Sequence, residues 1–182
     1  MKPAAPERKV FMSKVFYLPL DNMDGKCSGI SELVKSVFDS KAVRPADITA
    51  VKIHPGEEGN TSYVSAKDIS SIISAMDIDR DSVFLTDTTV LYPGRRMTAP
   101  QYLRLSREHG FGLPDTPPFL VADGLHGEDE YLLKTPDDFE TEEIHLARLI
   151  ANADSMVVVS HFKGHLLMGF GGALKNLGMG CA

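Results

Sequence analysis

A hydroxyl, two imidazoles and an ammonium group fall within one six-residue stretch, at Ser160, His161, His165 and Lys163. They follow an apolar, β-branched run at 155–159, which predicts a short strand buried on both faces. His161 and His165 stand four residues apart, a spacing that suits a metal ion on a helix. Gly164 and the strand exit disfavour a helix there. Catalysis, anion contact, metal binding and structural hydrogen bonding therefore stay open as roles for these side chains.

A glycine-rich turn and a short helix come next in the chain. Gly169, Gly171 and Gly172 either let the backbone pack closely on a strand or form a backbone-amide cradle for an anion. The positive charges of Lys163 and Lys175 favour the anion-binding interpretation of this turn. Gly178 predicts the end of the helix. A helix beginning at Gly172 would attract sulfate or phosphate. The pattern GxxxxGK[ST] of a phosphate-binding P-loop is absent.

Polar residues also follow two earlier predicted strands. His54 precedes a proline, which keeps it extended. Asp87 is either a cap for the following turn, or a general base or hydrogen-bond partner of a ligand. Asn60 suits a turn or a hydrogen bond to a ligand. Arg95 and Arg96 are adjacent, as surface charges often are, although one of them could turn inward to hold a carboxylate or phosphate.

The chain alternates predicted strands with predicted helices. Strands are expected over residues 14–20, 48–54, 82–86, 119–122 and 155–159, with a short edge strand over 131–134. Helices are expected to begin at Ser31, Ser65, Thr98 and Thr141. Gly110 should end the third of them. This alternation is typical of an α/β fold with an open, mostly parallel sheet and helices on both faces, a Rossmann-like three-layer sandwich.

Parallel strands present their carboxyl ends on one side of a sheet, where ligands of such folds bind. We therefore expect one pocket lined by His54, Asp87 and His161, with residues 169–172 as its floor. The candidate catalytic residues are His54, Asp87, His161 and His165. The candidate ligand-binding residues are Asn60, Lys163, Gly169, Gly171, Gly172 and Lys175. No metal site is assigned, and the cleft suits proton transfer on a carboxylate- or phosphate-bearing molecule.

Composition favours an ordinary globular chain. Its 182 residues predict one α/β domain over 13–182 after a disordered arm at 1–12. The net charge of −6 disfavours nucleic-acid binding. No apolar run is long enough for a transmembrane helix, and no secretory signal opens the chain. Cys27 and Cys181 are too few for a disulfide scaffold, so a cytoplasmic location is expected.

Three stretches resemble one family: VKIHPGEEGNTSYV, LTDTTVLYPGRRMTAPQYLRLSREHGF and VVVSHFKGHLLMGFGGALKNLGMGCA. They resemble the bacterial and archaeal uncharacterised Fe–S centre proteins known as domain of unknown function 362, and the resemblance spreads from about Lys14 to Ala182. Members commonly continue into a segment resembling a ferredoxin with four-iron four-sulfur clusters. The resemblance implies that this chain is a fragment of a longer protein and that a ferredoxin-like segment or protein is its partner. The cluster is implied for longer members, since a lone Cys181 cannot hold one.

A weaker likeness is to the N-terminal part of nickel-dependent lactate racemase. That family has a His followed by Gly-Phe-x-Gly-Gly-x-Lys, which His165, Gly169, Phe170, Gly171, Gly172 and Lys175 echo with looser spacing. The racemase family also has Thr-Arg-Pro after an acidic strand end. In this chain Asp87 keeps the acid, but the Arg-Pro is missing after it. We expect a domain that binds a small anionic molecule, in a redox-linked enzyme. The alternatives are a non-catalytic scaffold that docks a ferredoxin-like segment and a racemase- or isomerase-like proton-transfer enzyme. Met179 and nearby apolar residues would favour a homodimer.

Overall fold

The computed structural model describes residues 14–19, 26–39 and 48–182. The predicted arm at 1–12 lies outside these residues. The helices are α1 (Lys26–Asp39), α2 (Ala66–Met76), α3 (Ala99–Glu108), α4 (Arg148–Ala151) and α5 (Ala173–Gly178). The strands are β1 (Thr49–Lys52), β2 (Val83–Asp87), β3 (Phe119–Val121), β4 (Glu130–Lys134), β5 (Glu143–Ala147), β6 (Ser155–Val158), β7 (Lys163–His165) and β8 (Gly169–Gly171). No helix in these ranges is long and apolar enough to cross a bilayer.

The central element is a four-stranded sheet with the order β3-β2-β1-β6, in which every pairing is parallel. Thr49 pairs with Val83 on one side and with Ser155 on the other, so β1, β2 and β6 begin at the same level. Their carboxyl ends therefore lie along one edge. The prediction of an α/β fold with an open parallel sheet and helices on its faces is confirmed.

The two central strands are buried at every position, as expected for a sheet covered by helices. Their core-facing residues pack with the apolar face of α2, whose Ile69 and Ile73 are buried. Ser65 caps α2 as predicted, since its hydroxyl accepts a hydrogen bond from the Asp68 amide at 3.1 Å. Tyr102 of α3 joins the same core and makes an edge contact with Phe119 of β3.

Four local predictions at strands and caps are corrected. Residues 14–19 form no strand, and Val15 and Tyr17 are largely exposed. The strand at 155–159 is not buried on both faces, because β6 is the outer strand of the sheet and Met156 is exposed. The predicted glycine turn at 169–172 instead contains β8, which pairs antiparallel with β7. Thr98 stands at the start of α3, but its side chain makes no capping bond.

The helix predicted from Thr141 is wrong as well. Residues Glu143–Ala147 form β5, which pairs antiparallel with β4 in a separate two-stranded sheet. Within β5, Ile144 and Leu146 are less exposed than Glu143 and His145, which is the alternation of a strand. Two acidic residues near Thr141 imitate the first turn of a helix, but the helix itself begins later, at Arg148.

Candidate functional site

Asp87 ends β2 at the carboxyl edge of the parallel sheet, and only 2% of its side chain is exposed. Its Oδ1 accepts hydrogen bonds from Lys52 Nζ at 2.6 Å and from the Thr88 amide at 3.0 Å. Its Oδ2 accepts from Arg96 at 2.9 Å and from the Tyr102 hydroxyl at 2.5 Å. The Asp87 cluster, as we define it, comprises Lys52, His54, Glu57, Asp87, Tyr92, Arg96, Tyr102 and Asn176.

Lys52 reaches Asp87 because β1 and β2 are neighbours in the sheet. Lys52 pairs with Thr86 in register, which places Asp87 one residue further along the adjacent strand. The lysine is fully buried, and its Nζ also donates to the Asn176 side chain at 2.6 Å and to the Ile53 carbonyl at 3.2 Å. Asn176 belongs to α5 and in turn donates to Ser160 Oγ at 3.0 Å. These hydrogen bonds hold α5 at the carboxyl edge of the parallel sheet.

Arg96 turns inward from the loop after β2. Besides Asp87, its guanidinium binds the Glu57 carboxylate and lies 4.9 Å from the centre of the Tyr102 ring. Tyr92 donates to the same Glu57 carboxylate at 2.5 Å. The Arg96 Nε is buried without a hydrogen-bond partner within the described ranges. Arg96 is therefore the arginine that turns inward to hold a carboxylate. Arg95 is a surface charge and binds Glu108.

Together, burial and the charges of the cluster lower the pKa of its carboxyl group Asp87 and raise the pKa values of its tyrosines. Burial alone would raise the pKa of Asp87, but Lys52, the hydrogen bond with His54 and Arg96 together hold that pKa well below its usual range. Burial and the negative charge of Asp87 raise the pKa of Tyr102 well above its ordinary value. Burial and the hydrogen bond to Glu57 raise the pKa of Tyr92 to about 12. Asp87 is thus an ionised acceptor surrounded by protonated donors.

His54 is the member of the cluster that faces outward. Its Nδ1 lies 3.5 Å from Asp87 Oδ2, while 32% of its side chain is exposed. Because His54 is the second residue after β1 and precedes Pro55, the backbone holds it extended beside the end of β2. No hydrogen bond to its Nε2 occurs in the part of the chain that the structure describes. A buried carboxylate on one ring nitrogen and an open second nitrogen are the arrangement of a general acid or base.

The predicted site residues fall into two groups. His54 and Asp87 come together in the cluster. His161 is exposed after β6, and within the described ranges no hydrogen bond or ion pair joins it to Asp87. Lys163 and His165 lie on β7, where the His165 ring accepts bonds from the backbone amides of the following turn.

The remaining candidates have local roles. Asn60 accepts bonds from the Ser62 amide at 2.6 Å and hydroxyl at 3.0 Å, so its side-chain oxygen already closes a turn. Gly169 and Gly171 belong to β8, and Gly172 precedes α5 in an extended conformation. Lys175 is half-buried on α5, next to Asn176. With six residues, α5 provides little of the helix dipole expected at Gly172.

A pocket of about 410 Å³ lies at the opposite edge of the sheet, where β2 and β3 begin. Arg80, Val83, Leu113 and Pro118 are among its lining residues. None of the predicted site residues lines this pocket. At the carboxyl edge, the described side chains instead form a hydrogen-bonded cluster around Asp87, and the expected pocket that also includes His161 and residues 169–172 stays a prediction.

Sequence reasoning missed three central members of the cluster. Lys52 had a usable signal, because a lysine inside a short apolar strand needs a buried carboxylate partner. Tyr102 and Asn176 carried no comparable signal, since each is an ordinary residue of a helix that meets Asp87 or Lys52 only through the folded arrangement.

The implied iron–sulfur cluster does not fit the residues of this chain. A four-iron four-sulfur cluster takes four cysteine thiolates, and the sequence contains only Cys27 and Cys181. Cys181 is buried with its thiol 3.9 Å from the Asn176 carbonyl, and burial raises the pKa of that thiol. Among the described residues, no group of three or more His, Cys, Asp or Glu side chains is placed to hold a metal ion.

Comparison with known proteins identifies one family. A search of curated proteins and a search of solved structures each found no match. The family described as "Domain of unknown function (DUF362)" matches residues 49–182. That match covers well over half of the chain and includes every residue of the Asp87 cluster. The chain therefore belongs to the DUF362 family, whose description assigns no function.

Proposed function

We propose that this chain binds a small anionic molecule at the carboxyl edge of its parallel sheet, and that His54 transfers a proton on that molecule. The contact between His54 Nδ1 and the buried, ionised Asp87 carries this proposal. Asp87 favours the proton on Nδ1, which leaves a lone pair on Nε2 at the exposed side of the ring. His54 can then remove a proton from a bound molecule and return it.

The anionic character of the ligand rests on a lysine of α5 that has no carboxylate partner in the described part of the chain. Lys175 is half-buried and forms no ion pair with another described residue. Lys175 is adjacent to Asn176, which binds Lys52, so α5 lies against the cluster. The proposal places a carboxylate or phosphate beside α5 and its neighbouring carbon at His54, where Lys175 would stabilise negative charge that develops on proton removal.

The class of reaction that fits this arrangement is racemisation or isomerisation through removal of a proton next to a carboxylate. His54 Nε2 accepts the proton, and the electron pair stays on the ligand as a planar enediolate. The protonated imidazole then returns the proton to the other face of that carbon after the ligand has turned, which inverts its configuration. The carboxylate of Asp87 stabilises the imidazolium that forms between the two steps. The ferredoxin-like partner and the redox-linked role stay predictions.

Hydrogen exchange tests the proton transfer directly. Small 2-hydroxy and 2-oxo acids are incubated with the protein in D₂O, and loss of the signal from the proton next to the carboxylate is followed by NMR. We expect exchange with the wild-type chain and a fall of about 10²-fold or more in His54→Gln, because general base catalysis contributes roughly that much. Lys175→Ala should raise the acid concentration needed for half-maximal exchange.

His145→Gln is the matched control. His145 also pairs with a carboxylate, at 2.7 Å from Glu130, but both groups are exposed and lie on the two-stranded β4–β5 sheet. Its replacement should leave exchange unchanged. Thermal unfolding of both variants separates loss of chemistry from loss of fold. A wild-type chain that exchanges none of these acids, or exchange that survives in His54→Gln, would refute the proposal.

A further inference from the structure

The segment from Ser155 to Ala182 contains no Asp or Glu, although the whole chain has a net charge of −6. It carries two lysines and two histidines, and most of its apolar side chains are exposed. On the β7–β8 hairpin and the start of α5, the exposed apolar residues are Phe162, Leu166, Leu167, Met168, Phe170 and Leu174. We call these residues, with His161 and Lys163, the basic hairpin surface.

A second hairpin has the opposite charge. Between residues 128 and 143, which include β4 and the turn to β5, acidic residues stand at 128, 129, 130, 137, 138, 140, 142 and 143 against the single Lys134. Tyr131, Leu132, Leu133 and Phe139 are exposed in the same stretch. We call this stretch the acidic hairpin surface. Of its acidic side chains, those at 137, 138, 140, 142 and 143 form no ion pair within the described ranges.

Both hairpins are two-stranded sheets that stand outside the main sheet. A two-stranded sheet alone in water is marginally stable, and its outer edges carry unpaired backbone groups. Side chains on both faces of β4 are exposed, including the consecutive residues Tyr131 and Leu132. Apolar patches of this kind on a folded chain mark surfaces that are covered by another molecule.

We propose that the basic hairpin surface of one chain docks on the acidic hairpin surface of a second copy, and the reverse, to form a closed dimer. Charge complementarity selects the second copy as the occupant, because each chain carries both halves of the contact. The same contact made twice closes the assembly, whereas a single contact repeated in one direction would continue into a fibre. Burial of the exposed leucines and phenylalanines supplies the affinity, and the opposite charges set the orientation.

Charge reversal in pairs tests this arrangement. One variant carries His161→Glu and Lys163→Glu, and the other carries Glu140→Lys and Glu142→Lys. Light scattering and sedimentation should give the wild-type chain a mass twice its 19.9 kDa. Each variant alone should raise the dimer dissociation constant by about tenfold or more, since like charges then face each other. An equal mixture of the two variants, and a chain carrying all four changes, should dimerise again.

Lys67→Glu with Arg104→Glu is the matched control, because it changes charge similarly at exposed positions on α2 and α3. That variant should keep the wild-type dimer. All of the altered side chains are exposed or half-buried, and circular dichroism verifies that each variant folds. A wild-type chain that stays monomeric at every concentration would overturn the proposal and indicate that a different protein covers these hairpins. Charge-reversed variants that stay dimeric would overturn it as well.

Discussion

Two histidine–carboxylate pairs in this molecule have similar chemistry and different surroundings. His145 lies 2.7 Å from Glu130 on the β4–β5 sheet, where 46% of the glutamate side chain is exposed. His54 lies 3.5 Å from Asp87, whose side chain is almost fully buried and accepts four other hydrogen bonds. The shorter contact, between His145 and Glu130, belongs to the pair that is exposed. Burial and the number of fixed donors, more than the distance, distinguish the pair that we propose to be functional from the surface pair.

Replacing the two carboxylates should give the largest difference between the pairs. Asp87→Asn removes the negative charge that compensates Lys52 and Arg96, and leaving buried charges uncompensated costs about 3–5 kcal/mol. Glu130→Gln should cost about 1 kcal/mol or less, because an exposed ion pair contributes little. Urea unfolding at neutral pH measures both free energies of unfolding. Equal losses in the two variants would show that the cluster has no special role in stability.

The contribution of Asp87 to stability should depend on pH. The pKa of Asp87 is lowered in the folded chain, so its contribution to stability is fully present above its ordinary value of 3.8 and is lost as the pH falls toward the lowered folded value. The difference in unfolding free energy between the wild-type chain and Asp87→Asn should stay steady near neutral pH and narrow below about pH 4. Denaturant titrations across this range measure it. A difference that instead widens in acid would contradict the lowered pKa.

A smaller effect is expected at the glycine that packs against the cluster. A Cβ on Gly180 would lie 2.6 Å from the Asn176 carbonyl and 2.7 Å from Lys52 Nζ. Gly180→Ala should therefore destabilise the chain by about 1–3 kcal/mol, the usual cost of overpacking. Gly178→Ala is the control, since no atom lies within 4 Å of its added Cβ, and a helical alanine is neutral or slightly stabilising. Thermal unfolding of the two variants compares them.

Much of the central fold was predictable because it follows from local patterns. Apolar strands alternating with amphipathic helices predicted the parallel sheet, and the serine at position 65 predicted the start of α2. β5 was mistaken for part of a helix because Glu142 and Glu143 imitate a first turn, although Ile144 and Leu146 already alternate with polar residues. The exposed position of β6 could not be predicted, since strand order depends on long-range packing that leaves no local pattern.

The candidate site was predictable only in part. The rule that ligands bind at the carboxyl ends of parallel strands brought His54 and Asp87 together correctly. The rule did not distinguish the ends of the central strands β1 and β2 from the end of the outer strand β6. After β6 the chain continues into the β7–β8 hairpin. His161 follows that outer strand and is exposed. The partners of Asp87 on α3 and of Lys52 on α5 are more than ten residues distant in sequence and depend on the packed helices.

The three acceptors around Lys52 also determine what its amine can do. Asp87, Asn176 and the Ile53 carbonyl use all three N–H groups of an ammonium, which has no lone pair left to attack a carbonyl carbon. Lys52 therefore cannot form an imine with a keto acid while the cluster is intact, and reagents that acylate amines should react with the surface lysines and leave this one unmodified.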